Sequence, residues 1–244
     1  MDRWIGKVCV VTGASSGIGA TLAEKLVDLG VVVVGLARRV ERLEESAKAL
    51  VGKAGKLHAY RCDITKKEEV INAFKWITCT VGPISILINN AGVSRHTTLI
   101  DGDDSIWSMV LDTNVMGLCL ATREAIASMK ANSIDGHIVH VNSIAGHTVY
   151  SNNMYSPSKF AVTSITEVMR KELLNAESKI KVSSISPGMT DTEMLKLQGD
   201  EIIIPDDMPA LNPEDVANSI IHILGTPPHV QIHELIIKPV GEAF

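Results

Sequence analysis

The sequence has few cysteines, and they do not form the patterns typical of disulfide frameworks or zinc sites. Cys9, Cys62, Cys79 and Cys119 are scattered, with no CxxC pair and no histidine at a metal-ligand spacing. We therefore expect free thiols in a reducing compartment and no bound metal. No apolar run reaches the roughly 18 residues that span a bilayer. The first residues lead almost directly into a strand pattern, which leaves no room for a secretory signal. These features predict a cytoplasmic protein without a membrane span.

The chain also lacks an excess of positive charge. Its 23 lysines and arginines are outnumbered by 28 acidic residues, which gives a net charge of −5. This balance provides no bulk attraction for nucleic acid or for an anionic membrane surface. At 244 residues and 45% hydrophobic content, the chain is within reach of one domain with a sizeable core. No linker, repeat or low-complexity segment divides it, so we predict a single domain over residues 1–244.

Strand and helix patterns alternate along the sequence. Short apolar runs such as Val8–Val11 and Val31–Leu36 are typical of parallel strands buried on both faces. Between them, Ile18–Leu29 has apolar residues at helical spacing and stops at Gly30. The alternation predicts an α/β fold, a Rossmann-type doubly wound parallel sheet of about seven strands flanked by helices. Further strands are predicted at Leu57–Arg61, Ile84–Asn89, Ile138–Asn142, Val182–Ser186 and Leu235–Ile237, and further helices near 41–51, 66–80, 104–130, 155–175 and 213–224.

A glycine-rich turn, TGASSGIG at residues 12–19, joins the first strand to the first helix. Glycines let the backbone approach a pyrophosphate, and a helix N-terminus offers free amides with partial positive charge. The alternative is a β–α turn without a ligand, which the presence of both flanking elements makes less favoured. The candidate dinucleotide-binding residues are Gly13, Ser15, Ser16, Gly17, Ile18 and Gly19.

The end of the second strand indicates which dinucleotide binds. A fold that binds NAD typically has an acid there for the ribose 2′-hydroxyl, but this chain has Ala37 followed by Arg38 and Arg39. A guanidinium can donate two parallel hydrogen bonds to a phosphate. We therefore predict NADP(H), with Arg38 as the main ligand of the 2′-phosphate. A solvated basic start of the next helix is the alternative, and it fits Arg39 better than Arg38.

A tyrosine followed by a lysine, Tyr155 and Lys159, is the strongest chemical signal. Their spacing places both on one face of a helix. Lowering the pKa of a phenol from about 10 to about 7 takes roughly 4 kcal/mol, which an ammonium about 4 Å away supplies at an effective dielectric near 20. The spacing alone is common on solvated helices, but here it comes 12 residues after Ser143, which follows a predicted strand. The pattern favours proton transfer coupled to hydride transfer on an alcohol or a carbonyl.

The ordered motifs of the chain resemble those of the classical short-chain dehydrogenase/reductase family. Seven of them match over nearly the whole length, which is far more specific than any one match. The Ala37-Arg38-Arg39 run, the Ser143–His147 segment and the very short tail further resemble the insect farnesol-dehydrogenase-like branch. That branch is related to vertebrate reductases of ketosteroids and other carbonyls. The motifs are TGASSGIG (12–19), Cys62-Asp63-Ile64, Asn89-Asn90-Ala91-Gly92, Asn114 in DTNVMG, Ser143 in VNSIAG, Tyr155-Ser-Pro-Ser-Lys159 and Pro187-Gly188.

The resemblance implies a role for each matching residue. Tyr155 would be the general acid/base, and Lys159 would lower its pKa and bind the nicotinamide ribose. Ser143 would hold the substrate oxygen, and Asn114 would hold a water that relays protons to Lys159. An isolated asparagine is more often a helix cap or an exposed amide. Further implied cofactor contacts are Asp63 and Ile64 at the adenine, Asn90, Ala91 and Gly92 along the cofactor, and Pro187, Gly188, Thr190 and Thr192 at the nicotinamide carboxamide.

Two residues depart from a plain catalytic helix. Pro157 lies inside the Tyr155–Lys159 turn, which is tolerable only if that turn begins a helix or the missing amide needs no partner. His147 lies in the polar stretch between Ser143 and Tyr155. For His147 we favour a hydrogen bond within the loop over contact with substrate, because a histidine's role depends on its neighbours.

The segment after Thr192 is apolar and rich in methionine. In the family this segment forms a lid over the substrate, here at about 193–211. Methionine adapts its shape to irregular partners, so the lid suits a hydrophobic, flexible substrate. A farnesol-like isoprenoid alcohol and a steroid-like ketone both fit, and an amphipathic turn over the core is the alternative. The apolar residues are Met194, Leu195, Leu197, Ile202, Ile203, Ile204, Met208 and Leu211.

Two predicted helices, near 104–130 and 155–175, carry more apolar positions than one buried face needs. The resemblance favours a homodimer or homotetramer formed through them, and burial against the sheet is the alternative. The positions are Val115, Met116, Leu118, Leu120, Phe160, Val162, Ile165 and Met169.

Together these features predict an NADP-dependent oxidoreductase that interconverts a hydrophobic alcohol and its aldehyde or ketone. A carbonyl or ketosteroid reductase is the alternative within this class. An NADPH-binding sensor without turnover is an alternative from another class, although Asn114, Ser143, Tyr155 and Lys159 are all present. A sugar-nucleotide epimerase is disfavoured, because such chains usually have a longer C-terminal substrate region.

Overall fold

The structure is a computed structural model that describes residues 1–149, 153–196 and 209–242. Seven strands form one sheet in the order β3-β2-β1-β4-β5-β6-β7, and every neighbouring pair is parallel. The predicted Rossmann-type α/β fold is therefore confirmed. The strands are β1 (Val8–Thr12), β2 (Val32–Ala37), β3 (Lys56–Arg61), β4 (Ile84–Asn89), β5 (His137–Val141), β6 (Lys181–Pro187) and β7 (Glu234–Ile237).

The helices lie close to their predicted bounds, with one difference of shape. The helix predicted over 104–130 contains a π-helical turn at Asp112–Gly117, so α4 and α5 are separate α-helical segments. Asn114 lies inside this turn, and π-helical turns are frequent at functional sites. The helices are α1 (Gly17–Asp28), α2 (Val40–Ala49), α3 (Lys67–Thr80), α4 (Asp104–Leu111), α5 (Leu118–Ala131), α6 (Tyr155–Asn175), α7 (Glu193–Lys196) and α8 (Pro213–Gly225).

Hydrophobic cores lie on both faces of the sheet. Successive side chains of a strand point to opposite faces, so Cys9 and Val11 pack with α1 and α8, whereas Val10 and Val34 pack with α3, α5 and α6. Strands β1, β4, β5 and β6 are buried throughout. Burial on both faces explains the nearly uninterrupted apolar sequences of β1 and β4, whereas β5 and β6 also bury histidines and serines.

The direction in which successive strands are added to the sheet reverses between β1 and β4. Connections run outward from β1 to β3 on one side and from β4 to β7 on the other. Because the connecting helices diverge there, a crevice opens beyond the carboxyl ends of β1 and β4, and this is where doubly wound sheets bind ligands. The glycine turn follows β1 and Asn90-Ala91-Gly92 follows β4, so both motifs border the crevice.

The turns after β1 and β4 are tied together by a dense set of hydrogen bonds. The Thr12 hydroxyl accepts from the amides of Asn90 and Ala91, each at 3.0 Å. The Asn90 Nδ2 amide donates to the carbonyls of Thr12 and Gly13 at 3.0 and 3.1 Å. A Cβ atom added to Gly13 would lie 2.8 Å from the Ala91 Cα, so only glycine allows this approach.

We expect Gly13→Ala to destabilise the protein more than Gly52→Ala does. Both residues have positive φ, +66° and +88°, but a Cβ at Gly52 meets nothing within 4 Å. The Gly52 substitution should cost only the backbone strain, about 1 kcal/mol, whereas Gly13→Ala adds a backbone clash and should cost about 2–3 kcal/mol. Urea unfolding of the two variants measures the difference. Equal losses would show that the two turns do not pack closely.

Candidate active site

The first turn of α1 is open to an anion. Ser16 is the residue before the helix, and its hydroxyl accepts from Arg39 Nη2 at 3.0 Å; among the described residues it makes no capping bond to the first-turn amides. Gly17 has φ +54° and lies so close to Thr192 that an added Cβ would be 3.2 Å from its methyl group. Free amides at a helix N-terminus, reached through a glycine backbone, suit a pyrophosphate.

Three arginines follow β2, one more than the sequence pattern indicated. Arg38 and Arg39 are exposed at the start of α2, and Arg42 lies on the same helix face as Arg39. Arg39 Nη2 donates to Glu193 Oε2 at 2.9 Å, and Arg42 Nη1 donates to Glu193 Oε1 at 2.5 Å. The helical spacing from Arg39 could have identified Arg42. The guanidiniums and the Ser16 hydroxyl form a donor set that fits a phosphate.

Asp63 and Ile64 lie beyond β3 on the predicted adenine side. The Asp63 Oδ1 atom accepts from the amide and the hydroxyl of Thr65 at 3.0 and 2.8 Å. Burial alone would raise the pKa of Asp63, but these hydrogen bonds and the charges of Arg38 and Lys66 hold it below its ordinary value. Asp63 is therefore a carboxylate near Arg38.

Ile64 packs against the π-helical turn. A Cβ added to Gly117 would lie 2.9 Å from its Cγ1 atom, so this turn approaches the end of β3 closely. The adenine side and the predicted chemical side of the crevice are thereby in direct contact.

Lys159 is buried beside Tyr155. Its Nζ atom donates to the Val141 carbonyl at the end of β5 at 2.9 Å and lies 5.6 Å from the centroid of the Tyr155 ring. Burial lowers the pKa of Lys159 from 10.5 to about 8, so the ammonium is charged at neutral pH but less firmly than a solvated lysine. Both side chains come from the first turns of α6, as their spacing predicted.

Ser143 lies just beyond the end of β5, two residues after the carbonyl that binds Lys159. It is buried, and its Oγ atom accepts from the Ala145 amide at 3.1 Å. That bond fixes the side chain at the start of a 3₁₀ turn, Ile144–Gly146. It uses a lone pair of the hydroxyl, so the hydroxyl proton is available for donation.

Three hydrogen bonds fix the side chain of Asn114. Its Oδ1 atom accepts from the Val93 amide at 2.8 Å, and its Nδ2 atom donates to the Val93 carbonyl at 2.9 Å and to Ser158 Oγ at 3.0 Å. Ser158 in turn donates to the Tyr155 carbonyl at 2.6 Å. Asn114 therefore connects the loop after β4 to the first turn of α6. Sequence reasoning did not identify Val93 and Ser158, because neither has a distinctive residue type.

Pro157 and His147 have structural explanations. Pro157 is the third residue of α6, where the backbone amide has no partner within the helix in any case. The His147 ring Nε2 atom lies 3.0 Å from Ser186 Oγ, and 3.6 Å from Glu234 Oε1. The expected loop hydrogen bond of His147 thus runs to the end of β6.

The loop after β6 closes the crevice opposite the glycine turn. Pro187 is the last residue of β6, and Thr190 Oγ1 donates to the Gly188 carbonyl at 3.0 Å. The Leu211 amide donates to the Met189 carbonyl, and the Leu211 carbonyl accepts from the Asp191 amide, so the last residue of the predicted lid pairs with the segment just before it. Residues 197–208 of that lid, among them Leu197, Ile202, Ile203, Ile204 and Met208, lie outside the described residues.

A crevice that begins at a glycine turn with arginines beside it, and whose far end holds a buried lysine beside a tyrosine, is the arrangement of a dinucleotide-dependent oxidoreductase. The chain belongs to the short-chain dehydrogenase family, whose model matches residues 7–202. Among the residues described, no helix is long and apolar enough to cross a membrane, and no group of three His, Cys, Asp or Glu side chains could hold a metal.

Relatives support this assignment over their full lengths. The chain is 53% identical to farnesol dehydrogenase of Aedes aegypti, with 100% of each chain covered. It is 41% identical to dehydrogenase/reductase SDR family member 11 of Mus musculus, covering 98% of this chain and 96% of that one. A solved structure of serine dehydrogenase complexed with NADP+ superposes with a TM-score of 0.87 at 27% identity, covering 97% and 96% of the two chains.

We expect the stability of the cofactor-free protein to rise with pH because of Lys159. Its pKa is about 8 when folded and 10.5 when unfolded, so between these values the unfolded chain binds more protons than the folded chain, and the free energy of unfolding rises with pH. Between about pH 7 and pH 10 the free energy of unfolding of the wild type should rise by on the order of 2 kcal/mol relative to that of Lys159→Met.

Urea unfolding of both proteins at the two pH values measures this gain. Lys181, whose pKa burial also lowers to about 8, is present in both proteins and cancels in the comparison. An unchanged difference would mean that the Lys159 ammonium is well solvated.

Proposed function

We propose that this protein is an NADP-dependent oxidoreductase that interconverts a hydrophobic alcohol and its aldehyde or ketone, with Tyr155 as the general acid/base. The observation that carries the proposal is the Lys159 ammonium, which is buried, fixed to the end of β5 and 5.6 Å from the centre of the Tyr155 ring. A cation placed there favours the ionised form of a phenol. Such a phenol can exchange protons near neutral pH.

Each residue around the tyrosine has its own role in the proposed reaction. A bound nicotinamide supplies or accepts the hydride. Tyr155 gives its proton to the carbonyl oxygen or takes it from the alcohol, and Lys159 stabilises the phenolate that remains. Ser143 donates a hydrogen bond to the same oxygen from a position fixed by the Ala145 amide. The Asn114 side chain has both amide hydrogens and one lone pair of Oδ1 engaged, so the second lone pair of Oδ1 would accept from a relay water.

The proposed cofactor contacts follow the crevice from end to end. The pyrophosphate would lie on the first turn of α1, over Gly13, Ser15, Ser16, Gly17, Ile18 and Gly19. Arg38 and Arg39 would bind the 2′-phosphate, and Asp63 and Ile64 would contact the adenine. Asn90, Ala91 and Gly92 would border the cofactor, and Pro187, Gly188, Thr190 and Thr192 would hold the carboxamide.

We propose a farnesol-like isoprenoid alcohol as the substrate. The support is the 53% identity to a farnesol dehydrogenase over the whole chain, together with the position of the apolar Met194 side chain. The Met194 Cε atom reaches over Gly92, where an added Cβ would lie 3.7 Å from it and 3.5 Å from Asn114 Oδ1. A ketosteroid or another carbonyl compound is the alternative substrate.

We further propose that the chain acts as one domain and as a homodimer or homotetramer in the cytoplasm. One sheet joins both hydrophobic cores, and the four cysteines are free thiols. Of the apolar residues predicted for contact between copies, Met116 and Phe160 are 53% and 41% exposed, whereas Leu118 and Val162 are buried within the chain. The exposed residues would be covered in an oligomer.

We expect Tyr155→Phe to abolish farnesol oxidation while leaving NADPH binding nearly unchanged. The phenol serves proton transfer more than affinity, and loss of a general acid/base typically costs about 10²–10⁴-fold in turnover. Appearance of NADPH absorbance measures turnover, and NADPH fluorescence measures binding. Tyr60→Phe is the control, because Tyr60 packs on Trp76 and its strand, β3, is separated from β5 by three other strands. Normal activity of Tyr155→Phe would refute the mechanism, and an inactive wild type that binds NADPH would support the sensor alternative.

We expect Arg38→Gln to weaken NADPH binding by about 10–100-fold and to leave NADH binding unchanged. A charge-assisted hydrogen bond contributes about 1.5–3 kcal/mol, and only NADPH carries the 2′-phosphate that would receive it. Titration calorimetry with each dinucleotide gives the two constants. Arg123→Gln, which removes an exposed arginine of α5, is the control. Equal weakening of both dinucleotides would place Arg38 away from the 2′-phosphate.

A further inference from the structure

A single carboxylate, that of Glu193, forms ion pairs with two of the three arginines at the proposed 2′-phosphate site. The two oxygens of Glu193 are divided between them, Oε2 on Arg39 at 2.9 Å and Oε1 on Arg42 at 2.5 Å. Arg39 Nη2 also donates to Ser16 Oγ at 3.0 Å, which brings the glycine turn into the same network. The hydrogen bonds from Arg39 and Arg42 hold the pKa of Glu193 below its ordinary value, so the group is a carboxylate at neutral pH.

Glu193 reaches this position from the opposite wall of the crevice. It is the first residue of α7 and directly follows Thr192, whose methyl group lies against Gly17. The ion pairs therefore join the segment that begins the predicted lid to the start of α2. The residue is far from Arg39 and Arg42 in sequence, so the contact depends on the folded arrangement of the site.

The bonding pattern of Glu193 is the one expected of a phosphate. An anion with one oxygen on each of two guanidiniums uses the donors that a 2′-phosphate requires. The ion pairs are also weak enough to exchange, because the side chains of Glu193, Arg39 and Arg42 are 40%, 47% and 46% exposed. Exposed ion pairs are weak, and a dianionic phosphate attracts the same arginines more strongly.

We propose that Glu193 determines cofactor specificity by competing with the 2′-phosphate of NADP for Arg39 and Arg42. This inference rests on the proposed NADP dependence. A dinucleotide with a 2′-phosphate displaces the carboxylate, whereas one without it leaves the ion pairs in place. Glu193 therefore lowers the affinity for NADPH alone, and Arg42 becomes a further phosphate ligand once the carboxylate has been displaced.

The test compares wild type, Glu193→Gln and Glu214→Gln by titration calorimetry, using NADPH, NADH, adenosine 2′,5′-bisphosphate and AMP. Glutamine keeps the size of the side chain and removes its charge. We expect Glu193→Gln to bind NADPH and the bisphosphate about threefold to tenfold more tightly, since it relieves two exposed ion pairs. The affinities of Glu193→Gln for NADH and for AMP should differ from those of the wild type by less than about twofold. Glu214→Gln breaks an exposed Lys25 ion pair of the same kind away from the site and should change nothing.

A double-mutant cycle with Arg42→Gln identifies the competing partner. Arg42→Gln alone should weaken NADPH binding, and the benefit of Glu193→Gln should shrink when both are combined, because the two residues share one interaction. Circular dichroism and thermal unfolding of each variant establish that it is folded. Should Glu193→Gln be unstable, Glu193→Ala provides the same comparison.

The possible results separate this inference from the proposed cofactor. Weaker NADPH binding by Glu193→Gln would mean that the carboxylate orients the arginines, and it would overturn the competition. Unchanged NADPH binding, or equal tightening of NADPH and NADH, would also overturn it while leaving the proposed function intact. Failure of the wild type to bind NADPH would overturn the cofactor assignment, and the inference with it.

Discussion

The buried ammonium of Lys159 is the interaction on which the chemical end of the crevice depends. Taking an ammonium out of water is costly unless other groups replace its hydration. Here the Val141 carbonyl accepts one hydrogen bond at 2.9 Å, and the ring of Tyr155 lies beside the charge. The same carbonyl ends β5 two residues before Ser143. The end of β5 therefore positions both the cation and the serine hydroxyl, and α6 places the Tyr155 ring beside the cation.

The order of the strands in the sheet brings motifs that are separate in sequence together at one crevice. Because β1 and β4 are neighbours although they are distant in sequence, the glycine turn and the Asn90 turn meet and bond directly. The π-helical turn then packs Gly117 against Ile64, and Asn114 reaches both Val93 and Ser158. The proposed cofactor-binding residues and the proposed catalytic residues are thus joined by one continuous set of contacts.

Much of the fold could be predicted because its signals are local. Apolar runs marked the buried strands, and helical spacing with Gly30 marked α1, since burial on both faces leaves few polar positions. The π-helical turn could not be predicted in the same way, because it differs from an α-helix in hydrogen bonding rather than in residue pattern. The proximity of Tyr155 and Lys159 could be predicted, because the two residues lie one turn apart on α6. The link from Glu193 to Arg39 could not, because it joins segments that only the folded chain brings together.

The hydroxyl of Thr12 restricts which sequences can evolve at this turn. Its oxygen accepts from two backbone amides, those of Asn90 and Ala91, and it also donates to the Ile88 carbonyl at 3.4 Å. Valine has almost the same shape but offers no acceptor. The Asn90 amide would keep its hydrogen bond to the Ile88 carbonyl at 3.1 Å, whereas the Ala91 amide would lose the acceptor that the structure gives it, at a cost of about 1–3 kcal/mol. Serine alone among the other residues offers a short hydroxyl at the same atom. Divergence among related chains should therefore be confined to threonine and serine at this position, even where the neighbouring strand residues exchange freely.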